Sequence, residues 1–235
     1  MNLFYPGEIW YTIDHMAKVI PSKPLLITLY GYPGAGKTYF ARQLCENIQA
    51  AHIQGERIRA ELFESPRYDK EENAVVSQLM DYMAEEFLSA GVSVVYDTNA
   101  MRLTQRHALR ETARRYKAES VLVWLQIDVE SSFVRASKRD KRRTDDKYNV
   151  PLDRATFDNV VSGMQNPRNV EDYIVISGKH VFGTQFSAVV KRLHQLGLIH
   201  AEEVTAKLVK PGLVNLVPNP AAGRVDLSRR NIIIR

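Results

Sequence analysis

Short apolar runs and longer amphipathic segments alternate along most of the chain. The apolar runs are rich in Val, Ile and Leu and have the length of buried strands; they occupy residues 25–30, 52–54, 92–95, 121–127 and 173–176. Between them, apolar positions recur every three or four residues, as on one face of a helix, in residues 40–51, 55–63, 71–90, 103–116, 131–139, 152–164 and 182–196. Strands that alternate with helices predict a three-layer α/β/α fold, in which right-handed crossovers join a central parallel sheet.

The two ends of the chain differ from this alternating core. Residues 6–20 carry apolar side chains at helical spacing, and the proline-flanked segment 21–24 follows them. We therefore predict an N-terminal helix within residues 1–23 and a core domain over residues 24–199. Residues 200–235 contain two strand-like runs separated by a turn-rich segment, which predicts a small β-rich C-terminal extension.

The composition indicates an ordinary globular protein of a reducing compartment. The 235 residues are 45% hydrophobic and 25% charged, as in typical soluble domains. Cys45 is the single cysteine, which excludes an intramolecular disulfide and favours a cytoplasmic location. The apolar runs fall short of the roughly 20 residues that span a bilayer, and the first residues lack the pattern of a signal peptide. We therefore expect no membrane association.

The first apolar run leads directly into the sequence GYPGAGKT at residues 31–38. A strand, this G-x-x-x-x-G-K-T pattern and a helix in succession are typical of a phosphate-binding P-loop. Its glycines let backbone N–H groups approach phosphate oxygens, and the helix start adds the positive end of its dipole. Lys37 would reach the β- and γ-phosphates of a nucleoside triphosphate, and Thr38 would offer its hydroxyl to Mg²⁺. The other interpretation is a glycine-rich turn with a solvated lysine. The predicted nucleotide-binding residues are Gly31, Pro33, Gly34, Ala35, Gly36, Lys37, Thr38 and Tyr39.

Asp97 stands at the end of the third apolar run, before Thr98 and Asn99. Parallel α/β sheets bind their ligands at the carboxyl ends of the strands, so a carboxylate here is placed to hold Mg²⁺. The other interpretation is an aspartate that caps the turn after a strand. We predict Thr38 and Asp97 as the metal-binding residues.

Glu56 and Arg59 follow the second apolar run, one helical turn apart. Glu56 would accept the proton of an acceptor hydroxyl, and Arg59 would hold an anionic group of that acceptor in bidentate fashion. The alternative is an acidic residue favoured in the first helical turn by the helix dipole alone.

A basic cluster follows the fourth apolar run. Residues 135–147 contain seven Lys or Arg against three Asp, and Arg135 and Arg139 would share one face of a helix. Arginines that close over a transferring phosphoryl group are worth ~10³–10⁵ in rate. We therefore predict a lid over residues 135–151 that carries Arg135 and Arg139, with a solvated basic surface as the alternative.

The order of these motifs resembles the P-loop kinases related to polynucleotide 5′-hydroxyl kinase and zeta toxin. The resemblance extends over about residues 24–196, and it rests on the P-loop, on E-R-I-R at 56–59, on D-T-N at 97–99 followed by Arg106, and on the arginine pair. It implies the P-loop NTPase form of the α/β/α fold.

The resemblance also implies roles for individual residues. Glu56 would be the general base, Arg59 would bind the acceptor phosphate, and Arg135 and Arg139 would contact the donor phosphates. One position departs from the family pattern, because Glu56 stands where aspartate is usual.

Together these features predict a kinase that uses ATP and Mg²⁺ to phosphorylate a hydroxyl of an anionic acceptor. The acceptor would be a nucleic-acid end, a nucleotide or a small metabolite. The arginine-rich helix at 103–116 and the basic tail at 207–235 favour nucleic acid slightly, with a solvated face as the alternative interpretation of that helix. The alternative, motivated by Glu56, is a nucleotide-binding regulatory protein or an ATPase without an acceptor. The sequence contains no N-K-x-D guanine-reading motif, which argues against a GTPase. The predicted catalytic residues are Lys37, Glu56, Arg59, Asp97, Arg135 and Arg139.

Overall fold

The computed structural model describes residues 18–168 and 171–200. Its strands are β1 (Leu25–Tyr30), β2 (Ala50–Gln54), β3 (Ser93–Asn99), β4 (Glu119–Gln126) and β5 (Tyr173–Ser177). Its helices are α1 (Lys37–Asn47), α2 (Gly55–Leu62), α3 (Lys70–Ser89), α4 (Leu103–Arg115), α5 (Val129–Ser137), α6 (Arg154–Ser162) and α7 (Phe182–Gln195). The predicted β-rich extension and all but the last residues of the predicted N-terminal helix lie outside the described residues. Residues 18–20, at the end of that segment, are not helical, because Val19 pairs with Ile48 in an isolated parallel β-bridge.

The five strands form one parallel sheet in the order β2-β3-β1-β4-β5. β1 lies at its centre, hydrogen-bonded to β3 on one side and to β4 on the other. All six residues of β1 are buried, which explains why the strand is an unbroken apolar run. Because every strand runs in the same direction, all the carboxyl ends meet at one edge of the sheet. The predicted central parallel sheet is confirmed.

Helices cover both faces of this sheet. On one face, α1 and α7 pack against Leu25, Ile27 and Leu29 of β1. On the other face, α3 and α4 pack against the alternate side chain Leu26. Each fully buried aliphatic side chain contributes roughly 1.5–3 kcal/mol to folding. These two apolar layers hold the sheet between its helices and confirm the predicted α/β/α fold.

One helix boundary differs from the prediction in a way that affects the site. α5 begins after Asp128, whose side chain accepts a hydrogen bond from the Ser131 N–H at 2.8 Å. It ends at Ser137, so Arg139 lies beyond the helix. The prediction that Arg135 and Arg139 share one helix face is therefore wrong. The charged segment from Asp140 to Pro151, which belongs to the predicted lid, contains neither helix nor strand.

Within the described residues, none of the helices combines the length and the apolar character needed to cross a membrane.

Candidate active site

The loop between β1 and α1 is shaped by glycines and held down by α5. Gly34 and Gly36 have φ values of +86° and +95°, which side chains with a Cβ rarely adopt. A Cβ on Gly34 would lie 2.2 Å from the carbonyl oxygen of Ser132. The Ser132 hydroxyl in turn donates to the carbonyl oxygen of Pro33 at 2.7 Å. α5 thus fixes the loop at the close distance that only glycine permits.

Lys37 opens α1 and points back into this loop. Its Nζ donates to the carbonyl oxygens of Gly31 at 2.7 Å and Tyr32 at 2.9 Å. Burial lowers the pKa of Lys37 to about 8, against the opposing charge of Asp97 and with a smaller contribution from Arg139. The ammonium group therefore rests on backbone oxygens, where phosphate oxygens would supply a stronger partner.

Thr38 and Asp97 bring two hard oxygen ligands together. The Thr38 hydroxyl lies 3.4 Å from Oδ1 of Asp97, across 59 positions of sequence. Oδ2 of the same buried carboxylate lies 3.0 Å from Nε2 of His52 on β2. Mg²⁺ is usually held by one or two protein oxygens with water and substrate phosphates. A hydroxyl and a carboxylate beside the P-loop are oxygen donors of the kind that fits this ion. The described residues contain no cluster of three His, Cys, Asp or Glu.

Glu56 lies in the first turn of α2 and enters the same cavity. Burial raises the pKa of the Glu56 carboxyl, opposed by the charge of Arg59 and by a hydrogen bond from Tyr68, while the charge of Asp97 raises it further. The Tyr68 hydroxyl donates to Oε2 of Glu56 at 3.2 Å. A carboxylate whose pKa is raised is a better proton acceptor, as a general base requires.

Arg59 is the predicted catalytic side chain that the structure places outside the cavity. It is 5% exposed, and its Nη1 and Nη2 donate to Glu72 at 3.2 Å and to Asn73 at 2.6 Å. Its Nε lies 3.7 Å from Oε2 of Glu56. Because α3 already engages both terminal nitrogens, this geometry does not support Arg59 as a bidentate clamp on the acceptor. The helical periodicity of the sequence could not reveal that Glu72 and Asn73 on α3 bind Arg59.

The two lid arginines both line the cavity despite the early end of α5. Arg135 Nη1 donates to the carbonyl oxygen of Gly178 at 2.8 Å. Arg139 Nη1 donates to Oδ1 of Asp146 at 2.8 Å. The segment is also tied to α1, since Nε of Arg42 donates to Asp145 at 2.8 Å. Asp145 and Asp146, which appeared only as charges in a basic run, therefore hold the predicted lid in place.

These side chains surround a cavity of about 380 Å³ at the carboxyl edge of the sheet. The predicted residues in its lining are Pro33, Gly34, Gly36, Lys37, Thr38, Tyr39, Glu56, Asp97, Arg135 and Arg139. Ala35 is buried, and Gly31 borders a second cavity of about 530 Å³ beside Tyr30 and Trp124. Lys138 and Arg143, which belong to the predicted basic cluster, also line the first cavity. Sequence reasoning missed Tyr68, which lines the same cavity, and His52. Of these two, only His52 left a sequence signal, as a polar residue near the carboxyl end of a strand that neighbours Asp97.

The arginines of α4 are paired with carboxylates. Arg106 forms an ion pair with Glu171 at 2.8 Å, and Arg110 lies 4.0 Å from the same side chain. Arg114 pairs with Glu111 at 2.7 Å, and Arg115 pairs with Glu85 at 3.1 Å. The positive charge of α4, one of the two features that favoured nucleic acid, is therefore locally compensated. The basic tail, the other feature, lies outside the described residues.

Solved structures with a similar fold include several bacterial kinases. A sugar kinase from Janibacter sp. HTCC2649 is 16% identical with a TM-score of 0.52, over 77% of this chain and 98% of that one. A gluconokinase from Sinorhizobium meliloti 1021 is 18% identical with a TM-score of 0.52, over 74% and 93% of the two chains. An APS kinase from Mycobacterium tuberculosis in complex with AMPPNP and APS is 17% identical with a TM-score of 0.52, over 73% and 98%. At these identities the similarity establishes the fold. A search of curated proteins finds no match.

Fold and site together define a P-loop protein of the α/β/α type, and the fold that the resemblance to P-loop kinases implies is confirmed. The model of one family, described as AAA domain, matches residues 26–167. The chain belongs to this AAA-domain family.

Proposed function

We propose that this protein is an ATP- and Mg²⁺-dependent kinase that phosphorylates a hydroxyl of an anionic acceptor. The observation that carries the proposal is that Lys37, the Thr38–Asp97 pair and Glu56 line one cavity. Binding of ATP alone needs a P-loop lysine and a metal site. A carboxylate of raised pKa in the same cavity adds the proton acceptor that transfer to a hydroxyl uses.

On the donor side, Lys37 exchanges its two carbonyl partners for the β- and γ-phosphates. Thr38 and Asp97 would hold Mg²⁺, which would neutralise charge on the phosphates when bound. Arg135 and Arg139 contact the phosphoryl oxygens, for which Arg139 releases Asp146. Charged donors fixed around the transferring group stabilise its transition state more than its ground state.

On the acceptor side, Glu56 takes the proton of the acceptor hydroxyl. The hydroxyl oxygen forms a bond to the γ-phosphorus as the bond to the β–γ bridging oxygen breaks, so ADP leaves with that electron pair. The proton ends on Oε of Glu56 and then passes to solvent. Positioned proton transfer of this kind contributes typically 10²–10⁴-fold.

The acceptor's anionic group needs a cation other than Arg59. Lys138 and Arg143 line the cavity, and neither forms an ion pair with another described residue. We therefore assign the acceptor's negative charge to these two side chains. The compensated arginines of α4 weaken the case for a nucleic-acid end, while the neighbours act as a sugar kinase, a gluconokinase and an APS kinase. A small metabolite or a nucleotide is the acceptor we favour.

We place the reaction in the cytoplasm, because a chain with a single cysteine is typical of a reducing compartment.

The test follows labelled γ-phosphate from ATP into a panel of nucleotides, phosphorylated sugars, sugar acids and 5′-hydroxyl oligonucleotides. Wild-type protein with Mg²⁺ should label at least one acceptor, and Lys37→Ala should abolish labelling while remaining folded. Glu56→Gln should lower kcat by about 10²–10⁴ with little change in KM for ATP. Glu61→Gln, an exposed position on the same helix, is the matched control. Unchanged turnover in Glu56→Gln would remove the base from the proposal.

The competing function is a nucleotide-binding regulator or an ATPase without an acceptor. One observation favours it: both terminal nitrogens of Arg59, the predicted clamp on the acceptor, are engaged by α3. Under this hypothesis, wild-type protein binds AMPPNP in the presence of Mg²⁺ but labels no member of the acceptor panel. Release of inorganic phosphate would then separate an ATPase from a purely regulatory protein.

A further inference from the structure

We propose that Tyr68 is an acceptor-side residue: its hydroxyl orients the Glu56 carboxylate, and its ring is a wall against which the acceptor's carbon skeleton packs. The inference rests on the proposed kinase function and deepens it, since it names a determinant of acceptor recognition. It also replaces the clamp role of Arg59 with a positioning role.

The contact geometry places Tyr68 between the base and the cavity. Its hydroxyl donates to Oε2 of Glu56 at 3.2 Å, and both residues line the cavity. The Arg59 guanidinium carbon lies 4.6 Å from the centre of the Tyr68 ring, within the range of a cation–π contact. The residue is nevertheless 39% exposed, so part of the side chain is free to meet a ligand.

The backbone at Tyr68 has a left-handed conformation, which is uncommon for a residue other than glycine. Its φ is +58°, which is rare for a bulky residue and is typical of ligand clamps and switch regions when it persists. The other described non-glycine residue with positive φ is Lys117, which closes the end of α4, where this conformation is usual. Tyr68 precedes α3 and has no such reason. Its conformation directs the ring toward Glu56.

A buried carboxylate holds this conformation in place. Glu72 on α3 is 3% exposed and accepts the backbone N–H groups of Arg67 and Tyr68, each at 2.9 Å. The Asn73 amide donates to the carbonyl oxygen of Tyr68 at 3.2 Å. The same Glu72 and Asn73 side chains engage Arg59. Glu72 is thereby paired with Arg59 and with the backbone at Tyr68, so it holds both residues in place without a ligand.

The network leaves one oxygen of the base free. Tyr68 and Arg59 both approach Oε2 of Glu56, at 3.2 Å and 3.7 Å. Oε1 therefore remains for the acceptor hydroxyl. Arg59 acts through Glu56 and Tyr68 and is a positioning residue, whereas Tyr68 itself would touch the acceptor.

The charged and titratable groups that face Glu56 are Arg59 on α2, Tyr68 in the loop before α3, and Asp97 on β3. The Tyr68 hydrogen bond stabilises the ionised carboxylate, because a donor to the charged form lowers the pKa. Its removal therefore raises the pKa of Glu56 above the wild-type value.

The first experiment measures this directly, without any turnover. Protein labelled with ¹³C at the glutamate carboxyl is titrated by NMR, with Glu56→Gln to assign the signal. In Tyr68→Phe the Glu56 midpoint should move about half a pH unit or more to higher pH. Tyr116→Phe is the matched control, because Tyr116 donates to Glu85 at 3.0 Å outside the cavity. A Glu56 midpoint identical in wild type and Tyr68→Phe would overturn the orienting role.

The second experiment tests the wall, with the acceptor found in the labelling panel. Tyr68→Phe keeps the ring and should leave KM for the acceptor within about twofold, while Tyr68→Leu should raise it about tenfold. KM for ATP should stay unchanged in both, and melting temperatures equal to that of the wild type would show that the fold persists. Two results would contradict the packing role of the Tyr68 ring. One is a KM for the acceptor that is the same in Tyr68→Leu and in the wild type. The other is a rise in KM for ATP as large as the rise in KM for the acceptor. If no acceptor is labelled at all, the kinase proposal fails, while the NMR titration still decides the Tyr68–Glu56 relationship.

Discussion

Arg106 and Glu171 form a bidentate ion pair in the protein interior. Nε and Nη2 of Arg106 each lie 2.8 Å from one oxygen of the Glu171 carboxylate, and the two side chains are 2% and 1% exposed. Arg106 Nη1 also donates to the carbonyl oxygen of Ala100 at 2.9 Å. The arginine thus joins α4, the end of β3 and the segment that precedes β5. It stabilises the packing of these three parts of the fold and is unavailable to bind phosphate.

Removing one partner of this pair should destabilise the fold strongly. Glu171→Ala leaves Arg106 as a buried charge without its carboxylate, which typically costs about 3–5 kcal/mol. Urea denaturation gives the free energy of unfolding. Glu111→Ala is the control, because it breaks the exposed pair with Arg114 and should cost about 0–1 kcal/mol. Similar losses in the two variants would show that the buried pair contributes no more than a surface one.

The same pair should make stability depend on pH in the acid range. Burial opposes ionisation of Glu171, but the hydrogen bonds and charge of Arg106 outweigh it and hold the pKa of Glu171 below its ordinary range. A carboxyl whose pKa is lowered in the folded state adds stability above the unfolded value, about 4.3, and loses it as pH falls through the folded value. Wild-type protein should therefore lose stability below about pH 4.3 more steeply than Glu171→Gln, as measured by urea denaturation at each pH. Parallel curves for the two proteins would contradict this.

The sequence reveals those site residues that belong to a contiguous motif or stand at the end of a strand. Lys37 and Thr38 belong to one motif. Asp97 stands at the end of β3, and the order of the strands in the sheet places it beside Lys37 and Thr38. The role of Arg106 could not be predicted in this way. Helical periodicity places Arg106 on a basic helix, but its partner Glu171 lies 65 residues away in the sequence.

The acceptor side shows the limit most clearly. Arg59 was predicted from its spacing to Glu56, yet α3 captures its guanidinium through a packing contact that no local pattern encodes. Tyr68 is invisible in sequence because its role depends on a positive φ that Glu72 imposes. Arg139 reaches the cavity from a loop and not from a helix, because α5 ends early. Motifs therefore predict the proposed donor half of the site, while tertiary packing determines the proposed acceptor half.

In the nucleotide-free protein, Lys37 should lower the free energy of unfolding. Its folded pKa is lowered to about 8, below the unfolded value of about 10.4, so the unfolded chain holds more protons between these values and stability rises with pH across that window. Lys37→Met should raise the free energy of unfolding at pH 7 by about 1–3 kcal/mol and lose the rise between pH 8 and 10. Urea denaturation at pH 7 and pH 10 measures both effects. A variant less stable than wild type at pH 7 would show that the two carbonyl hydrogen bonds outweigh burial.

Asp146 should compete with ATP for Arg139. The two side chains are 2.8 Å apart and both lie in the cavity lining, so phosphate oxygens must displace the carboxylate. Asp146→Asn weakens that competitor and should tighten AMPPNP binding about 3–10-fold in calorimetric titration. Asp158→Asn is the control, since Asp158 pairs with Arg154 on the surface. Weaker binding in Asp146→Asn would instead assign Asp146 to shaping the loop.

His52 should strengthen the metal site through its contact with Asp97. Nε2 of His52 lies 3.0 Å from Oδ2 of Asp97, while Thr38 approaches Oδ1, so the imidazole fixes the rotation of the carboxylate. Residues that orient a metal ligand in this way typically contribute 10–100-fold in metal affinity. His52→Phe should therefore raise the Mg²⁺ concentration needed for half-maximal AMPPNP binding about tenfold, whereas the exposed His107→Phe on α4 should leave it unchanged. An unaltered Mg²⁺ dependence in His52→Phe would mean that the P-loop and the phosphates orient Asp97 without the histidine.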